Sequence, residues 1–474
     1  MKTHQTKILK IKVYCGFYAE IVMGPETKNS IRQLYTFDNL PVLRSMDTET
    51  VDLIYLDPPF NSGKQWENPI GEGNKRALAS FKDTWELSDT HADEEYVLSL
   101  AYPETIPLIN ALDDINGGSW KAYLIYMGAR LAEMRRILKP SGSIYYHCDP
   151  TMSHGVKLLM DSIFGGNNFR NEISWSYHRF SRQSGRQFAK MHDVILFYSK
   201  TPNNNYNFLF VEKRDSDPSI KKGFVVRRKD SKVLVYDWEK FNAAKATLNV
   251  ENYKISDCTK LSVKMGTVWN IPFIHALAKE RTGYPTQKPL TLLERIITAS
   301  SNKGDLVLDP FCGCATTCLA SERLERQWIG IDLAKEAANL VRERLQKDGE
   351  GKLEFAAYKV EHLDKLPKRT DLDGLRSDNA ILKPRLYKLQ GGKCLGCEKE
   401  TRIELMDFDH IIAKSRGGQD IDENIQLLCG NCNSTKGDRG MLYLWRQILQ
   451  RRTEEKMREY EANRRKQVKD RQQD

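Results

Sequence analysis

The sequence predicts an α/β fold with a small cysteine-rich module behind it, and three observations predict it. Two apolar runs, Val51 to Leu56 and Leu306 to Leu308, each end in a polar turn-forming loop: Asp57-Pro58-Pro59-Phe60 and Asp309-Pro310-Phe311-Cys312-Gly313. A buried strand ending in such a loop is where open α/β sheets place ligands. Strand and helix patterns alternate around both loops. Finally, Cys394-x-x-Cys397 and Cys429-x-x-Cys432 form a paired set far down the chain.

At 474 residues the chain is long enough for two or three domains, since single cores rarely grow beyond about 250–300 residues. Its 73 Lys and Arg outnumber 63 Asp and Glu, leaving a net charge of +10. That balance favours a polyanionic partner without identifying one. No run of about 18 apolar residues is present, so no membrane span is expected. The apolar stretch after Lys12 is short and holds Glu20, a poor match to a signal peptide. A reducing cytosol is therefore expected, where ten cysteines mean metal or buried thiols more often than disulfides.

From residue 31 to 150 strands and helices alternate. Leu124, Met127, Leu131, Met134 and Leu138 recur at spacings of three and four, the stripe of an amphipathic helix. Lys139-Pro140-Ser141-Gly142 stops it, and Ser143 to Tyr146 reads as the next strand, ending at His147-Cys148-Asp149. Strand, helix, strand at this spacing implies a right-handed parallel unit. Residues 201–280 lose the helix period. Lys213-Arg214, Lys221-Lys222 and Arg227-Arg228-Lys229 lie among aromatic residues there, as in an inserted irregular or β region. From 285 to 345 the α/β pattern returns. Leu292, Leu293, Ile296, Ile297 and Ala299 make a helix face; Trp328 to Ile331 make a strand ending at Asp332; Ala334, Ala338, Val341 and Leu345 mark another helix. Residues 346–380 are charged and turn-rich, as in a linker. The cysteine module occupies 381–440. The tail 441–474 starts amphipathic at Leu444 and Ile448, then turns polar through Arg451-Arg452 and Arg464-Arg465-Lys466, as in a solvated helix.

The two loops carry different chemistry. Asp57 offers a carboxylate and Pro58 a carbonyl, and the prolines fix both acceptors in place. Two acceptors suit an amino group with two hydrogens. Phe60 offers a flat face to an aromatic base. In the second loop Gly313 lets another group approach the backbone closely. Thr316-Thr317 can open a helix whose free N–H groups attract a carboxylate. Asp332 stands 19 residues past Gly313, at the end of the next strand, where an acid can bind ribose hydroxyls.

These residues resemble the amino-group DNA methyltransferases that use S-adenosylmethionine. The matching text is Asp38-Asn39-Leu40, Asp57-Pro58-Pro59-Phe60, Pro285-Thr286-Gln287-Lys288-Pro289-Leu290, and Asp309-Pro310-Phe311-Cys312-Gly313-Cys314-Ala315-Thr316-Thr317, within residues 31–345. The catalytic loop precedes the cofactor loop, the order of that family's β group. The family usually has a second glycine where this chain has Ala315. The resemblance implies a Rossmann-like methyltransferase domain over residues 1–345, with 201–280 as its target-recognition region. By it, Asp57 and Pro58 hold the target amine, Pro59 stiffens the loop and Phe60 stacks on a base flipped out of double-stranded DNA. Asp309, Phe311, Gly313 and Thr316 line the donor, Asp332 holds its ribose, Asp38 approaches its adenine, and the segment with Lys288 closes over it. Asp at the head of the tetrapeptide leans toward adenine N6; cytosine N4 is the alternative.

The four cysteines suit tetrahedral zinc, and the 31 residues between the pairs leave room for another element. That gap holds Asp409-His410, with the module's only histidine, and Asn424; Asn433 follows the last cysteine. An acid beside a histidine offers a hard oxygen ligand and a general base. Together with Gly417-Gly418 and Lys436, these residues resemble the HNH endonucleases, a ββα-metal fold. By that resemblance His410 activates water, Asp409 and Asn433 hold magnesium or manganese on the scissile phosphate, Asn424 orients the loop carrying His410, and Cys394, Cys397, Cys429 and Cys432 hold structural zinc. The leading expectation is a bifunctional methyltransferase–nuclease of a restriction–modification type, working in a prokaryotic or phage-infected cytoplasm. The alternatives are an HNH module that only binds DNA, and a chain whose donor site is inert. The oligomeric state is left open, a homodimer included.

Overall fold

The parallel core of the predicted sheet follows directly from its buried apolar strands. A computed structural model of the chain describes residues 8–12, 18–22, 31–60, 64–70, 77–83, 85, 89–117, 119–178, 188–212, 223–228, 231–235, 254–258, 262–275, 278, 280–284, 286–334, 340–345, 361–363, 365–372 and 374–470. A nine-stranded sheet runs in the order Val268–Asn270, Phe169–Ser176, His192–Ser199, Leu138–Cys148, Val51–Leu56, Leu306–Asp309, Gln327–Asp332, Arg32–Thr36, Glu361–Leu363. The six strands from Leu138–Cys148 to Glu361–Leu363 are mutually parallel. His192–Ser199 is antiparallel to its neighbours on both sides. Every residue of Val51–Leu56 and Leu306–Asp309 is buried, as strands covered on both faces require.

Helices cover the sheet where the periodicity placed them. Trp120–Ile137 forms one helix, and Leu124, Met127, Leu131 and Met134 are fully buried on its inner face. Each such side chain stabilises the fold by about 1.5–3 kcal/mol. Leu138 departs from that stripe. It is extended and begins the next strand, because Pro140 follows two residues later and the helix cannot continue into it. Leu290–Ser300 buries Leu292, Leu293, Ile296, Ile297 and Ala299. The next helix is described over 340–345, with Val341 and Leu345 buried; Ala334 precedes it outside any helix, and Ala338 lies outside the described residues.

The expected linker contributes structure of its own. Glu361–Leu363 pairs in parallel with Arg32–Thr36 and extends the sheet edge. Thr370 and Asp371 then bind Asp47, through Thr370 N to Asp47 Oδ1 at 2.6 Å and Asp371 N to the same oxygen at 3.3 Å. Charged, turn-rich composition hid a short strand that only its parallel partner, more than 300 positions away, stabilises.

Residues Tyr206–Trp269 form a compact unit separate from the rest. Its described elements are β strands: Gly223–Arg228 pairs with Ser231–Val235 and with Lys254–Cys258, and Phe210–Glu212 pairs with Ser262–Lys264. Of its expected basic clusters, Lys213, Arg214, Lys221, Lys222 and Lys229 lie outside the described residues.

The cysteine module is a ββα unit. Met406–His410 and Ile425–Cys429 form an antiparallel pair, followed by the helix Gly430–Lys436. Its core joins Met406, Leu427, Leu428, Cys394 and Cys432 to Met441 and Leu444 of the terminal helix Met441–Asp470. That helix is exposed at every described side chain from Leu449 to Ala462.

Candidate functional site

Both signature loops open at one place. Val51–Leu56 and Leu306–Asp309 are adjacent parallel strands, with Leu53 opposite Val307 and Ile54 opposite Leu308. From one the chain goes on to Leu138–Cys148, and from the other to Gln327–Asp332, on opposite sides. Connections that diverge in this way leave a crevice beyond the carboxyl ends of the two strands. Asp57 and Asp309 stand at its two walls.

The Asp309 wall is held by backbone and hydroxyl donors. Asp309 Oδ2 accepts from Thr317 Oγ1 at 2.5 Å, and Oδ1 accepts from Phe311 N at 3.1 Å. Burial nonetheless pushes this carboxyl up to about 7, against those two hydrogen bonds. Asp332 braces the same loop, since its Oδ2 accepts from Gly313 N at 2.8 Å and its Oδ1 from Ala334 N at 2.8 Å. Burial raises its pKa as well. Gly313 has φ +49°, and a Cβ there would meet the Tyr284 ring at 3.0 Å. The close neighbour that requires glycine is thus Tyr284, from the segment just before the expected closing strap. Ala315 has φ +53° and ψ +44°, left-handed values unusual for alanine, at the position where glycine is the family's habit. The helix Thr316–Arg323 begins directly after it. The buried Arg344 supports the turn from behind, donating from Nη1 to Cys314 O at 2.5 Å.

The strap brings Lys288 to the first loop. Lys288 Nζ donates to Asp57 Oδ2 at 2.5 Å and lies 5.3 Å from the centroid of the Phe60 ring. Both partners are shielded, with side-chain exposures of 8% and 16%. Asp57 Oδ1 is buried and has no hydrogen-bond partner among the described residues. Gln287 fixes the strap through Thr282 N, at 2.8 Å, and Glu280 O, at 2.7 Å. Pro285 lies outside the described residues. Phe60 in turn stacks on His147, a residue whose role sequence reasoning passed over; the only signal was its position at the end of a strand already placed on this edge.

Asp38 has a structural task. Its Oδ1 caps the short helix Asn39–Arg44 by accepting from Leu40 N at 2.8 Å, and both its oxygens accept from the buried Arg130. Asn39 Nδ2 reaches across to Pro310 O at 2.8 Å, tying this helix to the donor loop.

In the ββα module the four cysteine sulfurs all lie within 4.8 Å of one another, so the cluster can hold a metal ion. Cys429 N donates to Cys394 Sγ at 3.2 Å. Burial would raise the Cys394 thiol, but this bond and those from Cys397 and Gly396 N–H bring it below its ordinary value. Such donors favour the thiolate that a metal needs. Asn424 fastens the chain after His410: its Oδ1 accepts from Ile412 N at 2.8 Å, and its Nδ2 donates to Ile412 O at 3.0 Å and Gln419 O at 2.8 Å.

Asp409 is more enclosed than expected. Lys436 Nζ donates to its Oδ1 at 3.1 Å and to His410 O at 2.7 Å, and Gln426 Nε2 donates to its Oδ2 at 2.7 Å. Lys436 is fully buried. Asn433 sits one helical turn before Lys436, on the same helix face. His410 Nε2 meets Asp420 Oδ1 at 3.2 Å. The loop carrying Asp420 rests on the helix Asn39–Arg44, where Arg44 Nη1 donates to Arg416 O at 3.3 Å.

Comparison with known proteins agrees with both halves. A DNA methylase family model matches residues 51–343, and an HNH endonuclease model matches residues 394–439. The type II methyltransferase M2.DpnII of Streptococcus pneumoniae is 40% identical over 322 residues, covering 66% of this chain and 89% of that protein. The DNA adenine methyltransferase YhdJ of Escherichia coli is 26% identical over 342 residues, covering 72% and 89%. The type II methyltransferase M.HpaI of Haemophilus parainfluenzae is 26% identical over 321 residues, covering 68% and 76%.

Proposed function

The chain belongs to the DNA methylase family that acts on N6 and N4 amino groups and carries an HNH endonuclease domain, and on that premise we propose that it methylates adenine N6 in double-stranded DNA and cleaves DNA with its second module. S-adenosylmethionine supplies an electrophilic methyl carbon. The residues of the crevice fit it: a helix start for a carboxylate, a backbone approach at Gly313, and acids at Asp309 and Asp332. The observation that carries the proposal is the buried Oδ1 of Asp57, unpartnered among the described residues. A buried acceptor without a donor is costly, about 1–3 kcal/mol, and an amino hydrogen of a flipped base answers it.

Asp57 Oδ1 accepts one amine hydrogen and the Pro58 carbonyl the other. Holding both turns the nitrogen lone pair out of the ring's conjugation and toward the opposite wall. Lys288 holds Asp57 in place, while Phe60 sets the plane of the base. Positioning of this kind supplies much of the rate in a direct displacement. Asp57 at the head of the loop, together with the adenine specificity named for YhdJ, favours adenine over cytosine. Residues 1–345 carry out this chemistry, with 201–280 reading the DNA sequence.

In residues 381–440, His410 serves as general base. Asp409 and Asn433 hold magnesium or manganese, and Asn424 keeps the His410 loop in place. The four cysteines hold zinc, which staples the module and takes no part in cleavage. Lys436 and Gln426 use one lone pair on each Asp409 oxygen, and a carboxylate has about four such sites, so the outward ones remain for the cation. No helix among the described residues is long and apolar enough to cross a membrane, in keeping with action on cytoplasmic DNA.

Sequencing of modified bases in a host lacking amino methylation tests the first activity. N6-methyladenine in one sequence context, lost in Asp57→Ala, is the expected result; N4-methylcytosine would replace the adenine assignment, and no modified base would overturn it. For the second activity, nicking that requires added magnesium or manganese should vanish in His410→Ala. Nicking that persists in that variant would refute the assignment of the base.

A further inference from the structure

The target pocket has a buried backing that neither signature loop supplies. His147 ends the strand Leu138–Cys148 and is wholly buried. Its ring is stacked with that of Phe60, the centroids 6.0 Å apart and the planes inclined by 24°. Trp175 meets it edge-on at 5.5 Å and 88°. Both ring nitrogens are engaged: Nδ1 lies 2.9 Å from the Tyr55 hydroxyl and Nε2 lies 3.0 Å from Asp193 Oδ2. Asp193 Oδ1 accepts in addition from the Tyr177 hydroxyl at 2.9 Å. Burial disfavours charge on Asp193, but its interactions, with His147 first, then with the Lys288 charge and the Tyr177 hydroxyl, outweigh that and hold its pKa below the ordinary value. Asp193 is thus an acceptor at neutral pH, and the Nε2 hydrogen of His147 points to it. Four strands meet in this network: Val51–Leu56 through Tyr55, Leu138–Cys148 through His147, His192–Ser199 through Asp193 and Phe169–Ser176 through Trp175.

The geometry points to His147 as a positioning residue for methyl transfer: tethered at both nitrogens by Tyr55 and Asp193, it fixes the plane of Phe60 against which the flipped base stacks. This inference rests on Phe60 contacting the target base, as proposed above. Neither nitrogen is directed at a substrate, so His147 is no proton acceptor in the reaction. Phe60 follows two prolines and is only partly buried. Without a fixed neighbour its ring could tilt with the loop, and the base with it. A buried ring locked by two hydrogen bonds removes that freedom. Tyr55 lies two residues before Asp57 on the same strand, so a single rigid element sets both the acceptor for the amine and the tether for the stacking platform. Misplacement of a reacting group by about 1 Å can lower a rate about 100-fold.

The test uses the full chain and a duplex carrying the recognised sequence, with 2-aminopurine at the target base for the emission measurement. Tyr55→Phe removes one hydroxyl and keeps the ring; His147→Ala removes the backing. Single-turnover methyl transfer should fall about 10- to 100-fold in His147→Ala and less in Tyr55→Phe. The KM for the donor should stay at the wild-type value, while 2-aminopurine emission in the complex rises as stacking loosens. A merely structural role would lower the folded fraction without changing emission or the rate per folded site. If His147→Ala fails to fold, Tyr55→Phe decides. Wild-type rate and emission in Tyr55→Phe would overturn the inference. Wild-type protein inert on every DNA would instead overturn the methyltransferase proposal beneath it.

Discussion

The pair formed by Lys288 and Asp57 allows folding to be separated from chemistry. At 2.5 Å and an effective dielectric constant of about 20, their attraction is about 7 kcal/mol. Desolvating two ions offsets most of it, so the intact pair adds little net stability. Breaking it is another matter. Lys288→Ala leaves a carboxylate that is shielded and already short of one partner, and Asp57→Ala leaves a shielded ammonium. Each single change should cost about 3–5 kcal/mol. The double variant leaves neither charge stranded, so its loss should fall short of the sum by about 2–4 kcal/mol. Thermal unfolding followed by tryptophan fluorescence measures this, at roughly 2–4 °C per kcal/mol for a domain of this size. Methyl transfer, by contrast, should be absent from both variants lacking Asp57, including the double variant whose loss of stability is less than additive. Additive losses, within about 0.5 kcal/mol, would show that the two side chains do not form an ion pair in solution. The strap would then have no reason to sit against Asp57.

Asp309 gives a pH signature. Its folded pKa of about 7 exceeds the unfolded value of about 3.9, so the folded state keeps a proton that the unfolded chain releases. The contribution of Asp309 to stability should be greatest below about pH 4 and decline by on the order of 4 kcal/mol as pH rises to 7; an Asp309→Asn variant with the same pH slope as wild type would sink this. Gly417→Ala should loosen the seating of the nuclease-like loop, since φ is +78° and the new Cβ would lie 2.9 Å from the Pro41 backbone; unchanged amide exchange across Asn39–Arg44 would contradict that. Cys429→Ser should abolish the zinc content measured by elemental analysis, and a full complement of bound zinc in that variant would remove the cysteines from the metal site.

Much of the crevice was legible because its parts are local. Asp57 and Asp309 each follow a short buried strand, and the apolar runs and turn residues mark both. Parallel pairing then brings the loops together without further instruction. What stayed hidden depends on pairs far apart in sequence. Lys288 and Asp57 are 231 positions apart, and no local pattern announces their pairing. His147 and Asp193 meet across neighbouring strands and look like ordinary strand residues in sequence. Asp38 reads equally well as a ligand or as a helix cap, and its hydrogen bond to Leu40 N shows the cap. Lys436 belonged to the residues that resemble the HNH endonucleases, without a place of its own. Its burial beneath Asp409 became visible only with the helix Gly430–Lys436 laid on the strand Met406–His410.

The helix Asn39–Arg44 joins the methylase-like and HNH-like modules into one body. Six residues are too few for a helix to persist by itself, so its neighbours must hold it. At its start, Asp38 caps it, Arg130 grips Asp38 and Asn39, and Asn39 grips the donor loop at Pro310. Farther along, Pro41 packs against Gly417 with no room for a methyl group, and Arg44 donates to Arg416 O. From Arg416 the chain runs four residues to Asp420, which meets His410. The aromatic pair Tyr96 and Trp445, edge to face at 5.2 Å, makes a second seat between the two modules. A hinge between independent domains would expose flexible, weakly bonded chain. Here the connecting residues Arg369 to Asp371 are bonded to Asp47 and Thr48 on the methyltransferase side, and Arg376 and Ser377 to Asp420 and Asp422 on the other. The loop that meets His410 is therefore mounted on the same short helix that borders the crevice.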